Sequence, residues 1–192
     1  MKAVACVYGL VNQGIKDMVL GAGGEALWQQ VRAKAAVDID EFLSMQAYDD
    51  AVTMGLVAAA SEVLSTPAET LLEGFGHHWI GFTSKSGYGP LMTVSGDTLE
   101  EFLSNLDQMH ARIKNSMPNL DPPSFTCETQ ADGTIQVSYY SNREGLVPMV
   151  VGLIRGLADK FGQQAAVRIL ETKTTLDDPD ILEVRILSDG VT

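Results

Sequence analysis

The stretch Asp97–Met117, DTLEEFLSNLDQMHARIKNSM, separates two different patterns in this chain. Asp97 and Glu100 match a capping box at the start of a helix. Apolar residues then recur every three or four positions, which predicts a helix with one buried face: Leu99, Phe102, Leu103, Leu106, Ile113 and Met117. His110 falls on the same apolar stripe.

The chain before this helix shows helical periodicity. Glycines after Leu20 are expected to end a first helix, and Thr66-Pro67-Ala68-Glu69 is typical of a helix start. The predicted helices are Tyr8–Leu20, a second one containing Leu27, Trp28 and Val31, Asp49–Leu64, and one from Thr66 to a break at Gly81 and Gly87–Pro90.

The chain after this helix changes period. Pro118, Pro122 and Pro123 predict a stiff connector, and Asp132-Gly133 predicts a hairpin turn. The expected elements are strands at Phe125–Thr129, Thr134–Asn142, Ala165–Thr172 and Ile181–Leu187, with a helix at Leu146–Phe161. Helices followed by a small antiparallel sheet with one packed helix predict an α+β fold. We expect one domain over residues 1–192, helical to about residue 120 and mixed from about 121.

Composition narrows the class of protein. The chain has 192 residues and a net charge of -12, which argues against binding nucleic acid or an anionic membrane surface. The acidity fits either simple solubility or a basic partner protein. No stretch approaches the ~20 apolar residues of a membrane span. The apolar start, Met1–Val11, lacks a cleavage site and is expected to be part of the fold of a cytoplasmic protein.

Cys6 and Cys127 are too few for a disulfide framework, so reduced thiols are expected. A thiol redox switch that uses both, with or without structural zinc, is the alternative from another class. His77-His78 is expected to be a partly exposed pair rather than a metal site. No phosphate loop or zinc motif appears, and an enzyme is not expected.

Two groups of residues have chemistry of interest. His110 lies on an apolar helix face, where a histidine can be a buried core residue with its hydrogen bonds made by the protein. Imidazole is also a usual axial ligand of heme iron. On an extended segment Tyr139, Ser141 and Arg143 share a face and offer hydrogen-bond donors to carboxylates, with Arg143 able to donate bidentately. The alternative is an amphipathic strand end that happens to carry polar residues.

These groups coincide with a wider similarity. The chain resembles the heme-nitric oxide/oxygen binding (H-NOX) domains, including the N-terminal domain of the soluble guanylate cyclase β subunit. The resemblance covers nearly the whole chain, at Tyr8–Asn12, Ala58–Leu64, Asn105–His110, Pro123–Cys127 and Tyr139–Leu146. A Tyr-x-Ser-x-Arg motif about thirty residues after an Asn-Leu-Asp-x-x-His helix is the specific combination. The chain departs from the cyclase at its start, with about six additional residues.

The resemblance implies a cofactor and roles for its binding residues. It implies heme b (iron protoporphyrin IX), buried between the helical and mixed parts, with His110 as the proximal iron ligand. It makes Tyr139, Ser141 and Arg143 the clamp for the heme carboxylates, and Pro123 the proline that presses on the heme. Cys127 matches a cysteine near the heme, without an assigned role.

The resemblance also implies a ligand. Oxygen-binding relatives carry a distal tyrosine where this chain has Met149, which has no side-chain donor, as is also true of Pro148. Trp79 is expected either to reach the pocket as a donor or to fill the core. We therefore expect a sensor of nitric oxide that also binds carbon monoxide and excludes oxygen. Nitric oxide is expected to weaken the His110–iron bond and free its helix. The expected partner, acting in trans, is a sensor histidine kinase or a cyclic-di-GMP enzyme.

Overall fold

A computed structural model describes residues 6–117 and 120–187, which form an α+β fold. In chain order the elements are β1 (Cys6–Tyr8), α1 (Gly9–Lys34), β2 (Ala47–Asp49), α2 (Asp50–Leu64), α3 (Ala68–Lys85), α4 (Gly89–Thr93), α5 (Leu99–Ser116), β3 (Ser124–Thr129), β4 (Ile135–Tyr140), α6 (Val147–Lys160), β5 (Gln164–Glu171) and β6 (Asp180–Leu187). Helices therefore dominate the first part and strands the last part, as the sequence predicts.

The main sheet has four antiparallel strands in the order β3-β4-β6-β5. Strand β4 is central, and its Tyr139 lies opposite Phe125 of β3 and Asp180 of β6. Alternate residues of the sheet point to one buried face, where α5 and α6 cover them. A second sheet of two short strands, β1 and β2, was not predicted from the sequence.

Two hydrophobic cores form within the described residues. One joins α1, α2 and the first half of α3, and the other joins the end of α3, helices α4 to α6 and the main sheet. The ring of Trp79 on α3 contacts both cores. Helix α3 therefore holds the helical part against the mixed part.

Helices α3 and α6 make the most extensive contact between any two elements. Three glycines at this contact, Gly76, Gly152 and Gly156, allow the two backbones to touch. A Cβ added to Gly76 would overlap the carbonyl oxygen of Met149, and one added to Gly152 would overlap that of Glu73. Side chains at these positions would force the helices apart, so the packing requires glycine.

Most predicted elements are confirmed with small shifts in their ends. The two predicted N-terminal helices form α1, which is non-helical at Gly23 and Gly24; Gly24 has a φ of 68°. The turn at Asp132-Gly133 is confirmed, with Gly133 at a φ of 81°. Residues 1–5 of the apolar start, and Pro118 of the connector, lie outside the described residues.

Both predicted helix caps differ from the structure. Helix α3 begins at Ala68 with Pro67 as its N-cap, so Thr66 and Glu69 form no capping box. The hydroxyl of Thr66 instead bonds to the carbonyl oxygen of Leu64. At α5 the N-cap is Thr98, one residue later than predicted: its hydroxyl accepts from the Glu101 amide, and the Glu101 carboxylate accepts from the Asp97 amide.

Two predicted boundaries are also wrong. Gly81 does not break α3, which continues to Lys85, because glycine is tolerated inside a helix when the rest of the helix is packed. Strand β4 ends at Tyr140 rather than Asn142, and residues 141–145 form an irregular bend. Ser141 and Arg143 therefore do not extend the alternation of the strand.

Among the described helices, none is by itself long and apolar enough to span a membrane. Helices α2 and α3 meet the length and composition criteria only as a pair, and they are bent by 113° at their junction.

Replacing Gly152 with Ala tests the α3–α6 contact. We expect a loss of more than about 2 kcal/mol in the free energy of unfolding, because the new methyl group overlaps a main-chain oxygen of α3. The matched control is Gly74→Ala on α3, where a Cβ meets no atom within 4 Å. That change should leave stability unchanged or raise it by up to ~1 kcal/mol. Equal losses in urea denaturation of the two variants would contradict the tight packing.

Candidate functional site

A cavity of about 310 Å³ lies between the two cores. Its wall is mainly apolar and takes residues from α1, α2, α3, α5, α6, β4 and the connector before β3. One water molecule needs only ~10–15 Å³, so the cavity can hold a ligand of many heavy atoms. All seven residues that the resemblance places near the cofactor or the gas border this cavity: Trp79, His110, Pro123, Tyr139, Ser141, Arg143 and Met149.

His110 projects from α5 into the cavity wall with a defined ring orientation. Its Nδ1 lies 3.2 Å from the carbonyl oxygen of Pro123, which can only accept a hydrogen bond. The proton therefore resides on Nδ1, and Nε2 carries the lone pair. A ring fixed through Nδ1 by a backbone carbonyl is the usual arrangement of a metal-binding histidine.

The surroundings of His110 favour its neutral form. Burial lowers the pKa of the imidazole, while the bond to Pro123 and the negative charge of Asp107 act in the opposite direction with smaller effect. A neutral imidazole is the form that coordinates a metal. Asp107, also on α5, accepts hydrogen bonds from the Ser124 hydroxyl (2.8 Å) and the Phe125 amide (3.2 Å). Helix α5 is thus tied to the last proline of the connector through His110 and to the first two residues of β3 through Asp107.

Tyr139 and Ser141 lie where β4 ends at the cavity. Tyr139 is 3% exposed, and burial is the main reason that its pKa is raised. Ser141 lowers that pKa through a side-chain hydrogen bond, and its own hydroxyl accepts from the Arg143 amide at 3.1 Å. The ring of Phe125 packs between Tyr139 (5.2 Å between centroids) and His110 (5.6 Å), which links the two sides of the wall.

Arg143 is held by protein groups on several elements. Its Nε donates to Asp50 at 2.7 Å, and Nη2 lies within hydrogen-bond distance of the same carboxylate and of the Cys6 carbonyl oxygen. Nη1 donates to the Asp121 carbonyl oxygen at 2.9 Å. Among the described residues these bonds engage four of the five guanidinium N–H groups. The expected bidentate donation to a cofactor carboxylate is therefore not available in this arrangement, which leaves one N–H.

Trp79 and Met149 form part of the wall on α3 and the first turn of α6. The indole of Trp79 packs against the rings of Phe75 (5.7 Å) and Phe82 (5.8 Å), so it contributes to the core while bordering the cavity. Thr83, which also borders the cavity, donates its hydroxyl proton to the Trp79 carbonyl oxygen at 2.7 Å.

Three polar residues near the site were missed by the sequence analysis: Asp50, Asp107 and Lys173. Asp50 is 93 positions from its partner Arg143, so no local pattern could link them. Asp107 belongs to the Asn-Leu-Asp-x-x-His motif, and its spacing of three from His110 is a signal that both side chains lie on one face of the helix. Lys173 carried no signal, because it lies in a loop next to an ordinary strand.

Three residues considered for a thiol switch or a metal site, Cys127, His77 and His78, contact ordinary protein groups. The Cys127 thiol donates to the Leu103 carbonyl oxygen at 3.3 Å, and burial raises its pKa to about 11. His77 and His78 pair with Asp159 (2.7 Å) and Asp17 (3.0 Å) respectively. Within residues 6–117 and 120–187, no group of three or more potential ligands could hold a metal ion through protein atoms alone.

Fold and cavity together define the protein as an α+β ligand-binding domain with one imidazole nitrogen presented to a large apolar chamber. The model of the Haem-NO-binding family matches residues 8–169 of the chain. The chain therefore belongs to this family, the H-NOX domains, which are heme-based gas sensors. An H-NOX domain is a sensor and is not itself catalytic.

Individual relatives support the assignment. Soluble guanylate cyclase gcy-35 of Caenorhabditis elegans is 30% identical over 171 residues, which cover 87% of this chain and 25% of the relative. Guanylate cyclase soluble subunit beta-2 of Rattus norvegicus is 38% identical over 104 residues, covering 54% of this chain and 15% of that protein. The chain thus spans about a quarter or less of the length of these curated relatives.

Solved structures support the fold. An H-NOX protein from S. oneidensis in the Fe(II)NO ligation state aligns with a TM-score of 0.85 at 17% identity, over 95% of this chain and all of that one. The Fe(II) unliganded H-NOX protein from K. algicida aligns with a TM-score of 0.80 at 16% identity, over 97% of this chain and all of that one.

The donor set fits heme. The chamber is apolar where a porphyrin needs an apolar surface, and the His110 ring is oriented by a backbone acceptor. Three polar residues, which we call the rim of the cavity, can donate hydrogen bonds to carboxylates. These are Tyr139 and Ser141 through their hydroxyls and Arg143 through its remaining N–H.

The raised pKa of Cys127 allows a test of the thiol alternative. Because burial holds the pKa at about 11, about one Cys127 thiol in a thousand should be ionised at pH 8. We expect alkylation of Cys127 by iodoacetamide to accelerate about tenfold per pH unit from pH 8 to 10, measured by mass spectrometry of the modified peptide. In guanidinium the rate should level off near pH 9. A plateau below pH 9 in the folded protein would favour a reactive thiol.

Proposed function

We propose that this chain is a ferrous heme b sensor of nitric oxide that also binds carbon monoxide, excludes oxygen and regulates a separate signalling protein in the cytoplasm. In this proposal residues 1–192 act as one sensor domain. The observation that carries it is the His110 imidazole, which borders an apolar chamber and is oriented through Nδ1 by the Pro123 carbonyl oxygen. Membership in the Haem-NO-binding family supports it independently.

When bound, heme would supply an iron atom that can bind a diatomic gas. His110 Nε2 would ligate the iron, and Nδ1–H would keep the ring in place by donating to Pro123. Tyr139, Ser141 and Arg143 would hold the carboxylates. Pro123, Trp79 and Met149 would contact the porphyrin or the gas side of the chamber.

The choice of gas rests on the donors available to a bound ligand. Bound oxygen gains from a hydrogen-bond donor on the open side, whereas nitric oxide and carbon monoxide depend on it less. Met149 offers a thioether in place of a donor. The hydroxyl proton of Thr83 is already donated to the Trp79 carbonyl oxygen. These residues favour exclusion of oxygen.

Signal transmission is proposed to begin at α5. The helix carries His110 and is held to the start of β3 by Asp107. The hydrogen bonds of His110 and Asp107 tie α5 to Pro123 and β3, so α5 and the Pro123 segment could adopt two arrangements, depending on how His110 holds the heme. A partner that binds the two arrangements with different affinity would be regulated. We propose a sensor histidine kinase or a cyclic-di-GMP enzyme as that partner.

An absorption spectrum tests the function. The purified ferrous protein should show a Soret band that shifts on addition of nitric oxide or carbon monoxide, and air should give no stable oxygen complex. A stable oxygen complex would overturn the gas selectivity while leaving the heme site intact. A protein that stays colourless after addition of hemin would overturn the whole proposal.

Replacing His110 with Gly tests the ligand. The variant should not retain heme unless imidazole is added, because free imidazole can replace the missing side chain at the iron. His77→Gly is the matched control, since it also places glycine in a helix but removes a ring paired with Asp159 at the surface. Heme content and spectra of both variants, with and without imidazole, are the measurement. Unchanged heme content in His110→Gly would reject His110 as the ligand.

A further inference from the structure

Lys173, in the loop between β5 and β6, contacts the bend that carries Ser141 and Arg143. Its Nζ donates to the carbonyl oxygen of Ser141 at 2.7 Å and to that of Arg143 at 3.1 Å. The side chain is partly buried and does not border the cavity itself. It therefore acts on the bend through the backbone, by binding these two carbonyl oxygens.

The loop that presents Lys173 is fixed at both ends. The Lys173 amide donates to Asp180 at 3.0 Å, and Asp180 is 4% exposed and lies opposite Tyr139 in the sheet. Beyond Lys173, the carboxylate of Asp178 accepts from the hydroxyl and the amide of Thr175. Thr174 donates to the same carboxylate at 2.8 Å. The ammonium is thus held against the bend 141–143 by a loop with its own hydrogen bonds.

The bend needs such support because it lies beyond the regular strand. After Tyr140 the ladder of β4 ends, so main-chain groups of residues 141–145 require other partners. Ser141 accepts from the Arg143 amide within the bend, and the two carbonyl oxygens turn toward Lys173. A single cation thereby sets the direction of the backbone from which both side chains project.

Charge gives the same contact a second effect. The carbonyl oxygens of Ser141 and Arg143 carry partial negative charge beside the proposed position of two cofactor carboxylates. Arg143 is partly neutralised by Asp50, which lies 2.7 Å from its Nε. The ammonium of Lys173 adds positive charge next to both carbonyl oxygens of the bend.

We propose that Lys173 is a positioning residue for carboxylate binding: it fixes the bend 141–143 so that Ser141 and Arg143 meet the heme carboxylates. This inference rests on the proposed heme site. It assigns a role in cofactor binding to a residue that does not line the cavity. It predicts a dependence on the cofactor's carboxylates rather than on its ring.

The test compares Lys173→Met and Lys173→Arg, with Lys160→Met as the matched control on the exposed last turn of α6. Each protein is loaded with heme or with heme dimethyl ester, whose carboxylates are blocked, and transfer to excess apomyoglobin is followed. We expect Lys173→Met to release heme about tenfold faster than the unsubstituted protein. Lys173→Arg and Lys160→Met should release it at nearly the original rate. With the dimethyl ester, all four proteins should release the ligand at similar rates.

Two results would overturn the inference while leaving the heme site standing. One is an unchanged rate of heme release in Lys173→Met. The other is an equal acceleration with heme and its ester, which would indicate general loosening of the fold. If Lys173→Met does not fold, Lys173→Gln, which keeps a donor without the charge, takes its place in the same comparison. Failure of the unsubstituted protein to take up either ligand would instead reject the proposed function.

Discussion

The hydrogen bond between His110 Nδ1 and the Pro123 carbonyl oxygen is the constraint on which the site depends. It joins α5 to the connector before β3 and determines which ring nitrogen carries the lone pair. Asp107 reinforces the same junction through the Phe125 amide. Because the junction uses backbone groups, the ring orientation follows from the path of the main chain. Any shift of α5 relative to β3 must change the geometry at Nε2.

The polar rim of the cavity is held by a network of hydrogen bonds around Arg143. Arg143 connects β1, the start of α2 and the connector, so it closes the chamber between the two cores. Most of its donors are used by protein acceptors, so Tyr139 and Ser141 would take a larger share of the proposed carboxylate binding. Lys173 holds the same bend by donating hydrogen bonds to the carbonyl oxygens of Ser141 and Arg143. The rim is therefore a network in which a cofactor carboxylate would be one acceptor among several.

Between these two regions, α3 and α6 form one wall of the cavity. Gly76 and Gly152 let the backbones of the two helices meet, and Trp79 of α3 and Met149 of α6 border the cavity beside this contact. The apolar wall on this side is consequently defined by backbone packing as much as by side-chain choice.

The sequence by itself determined the order of elements, the amphipathic face that includes His110, and the motif residues that border one cavity. These features are local, because helical and strand periodicities depend on neighbours within a few positions. The predictions were wrong at the caps of α3 and α5 and at the end of β4. At such ends, a shift of the boundary by one residue changes which group accepts a hydrogen bond.

Only the tertiary structure decided which groups meet across long separations. The pairing of Asp50 with Arg143 and the contact of Lys173 with the 141–143 bend join residues 93 and about 30 positions apart. No periodicity encodes such contacts, since they depend on how the sheet, the connector and α2 pack together. The same holds for the tautomer of His110, which is set by a carbonyl group that every residue carries.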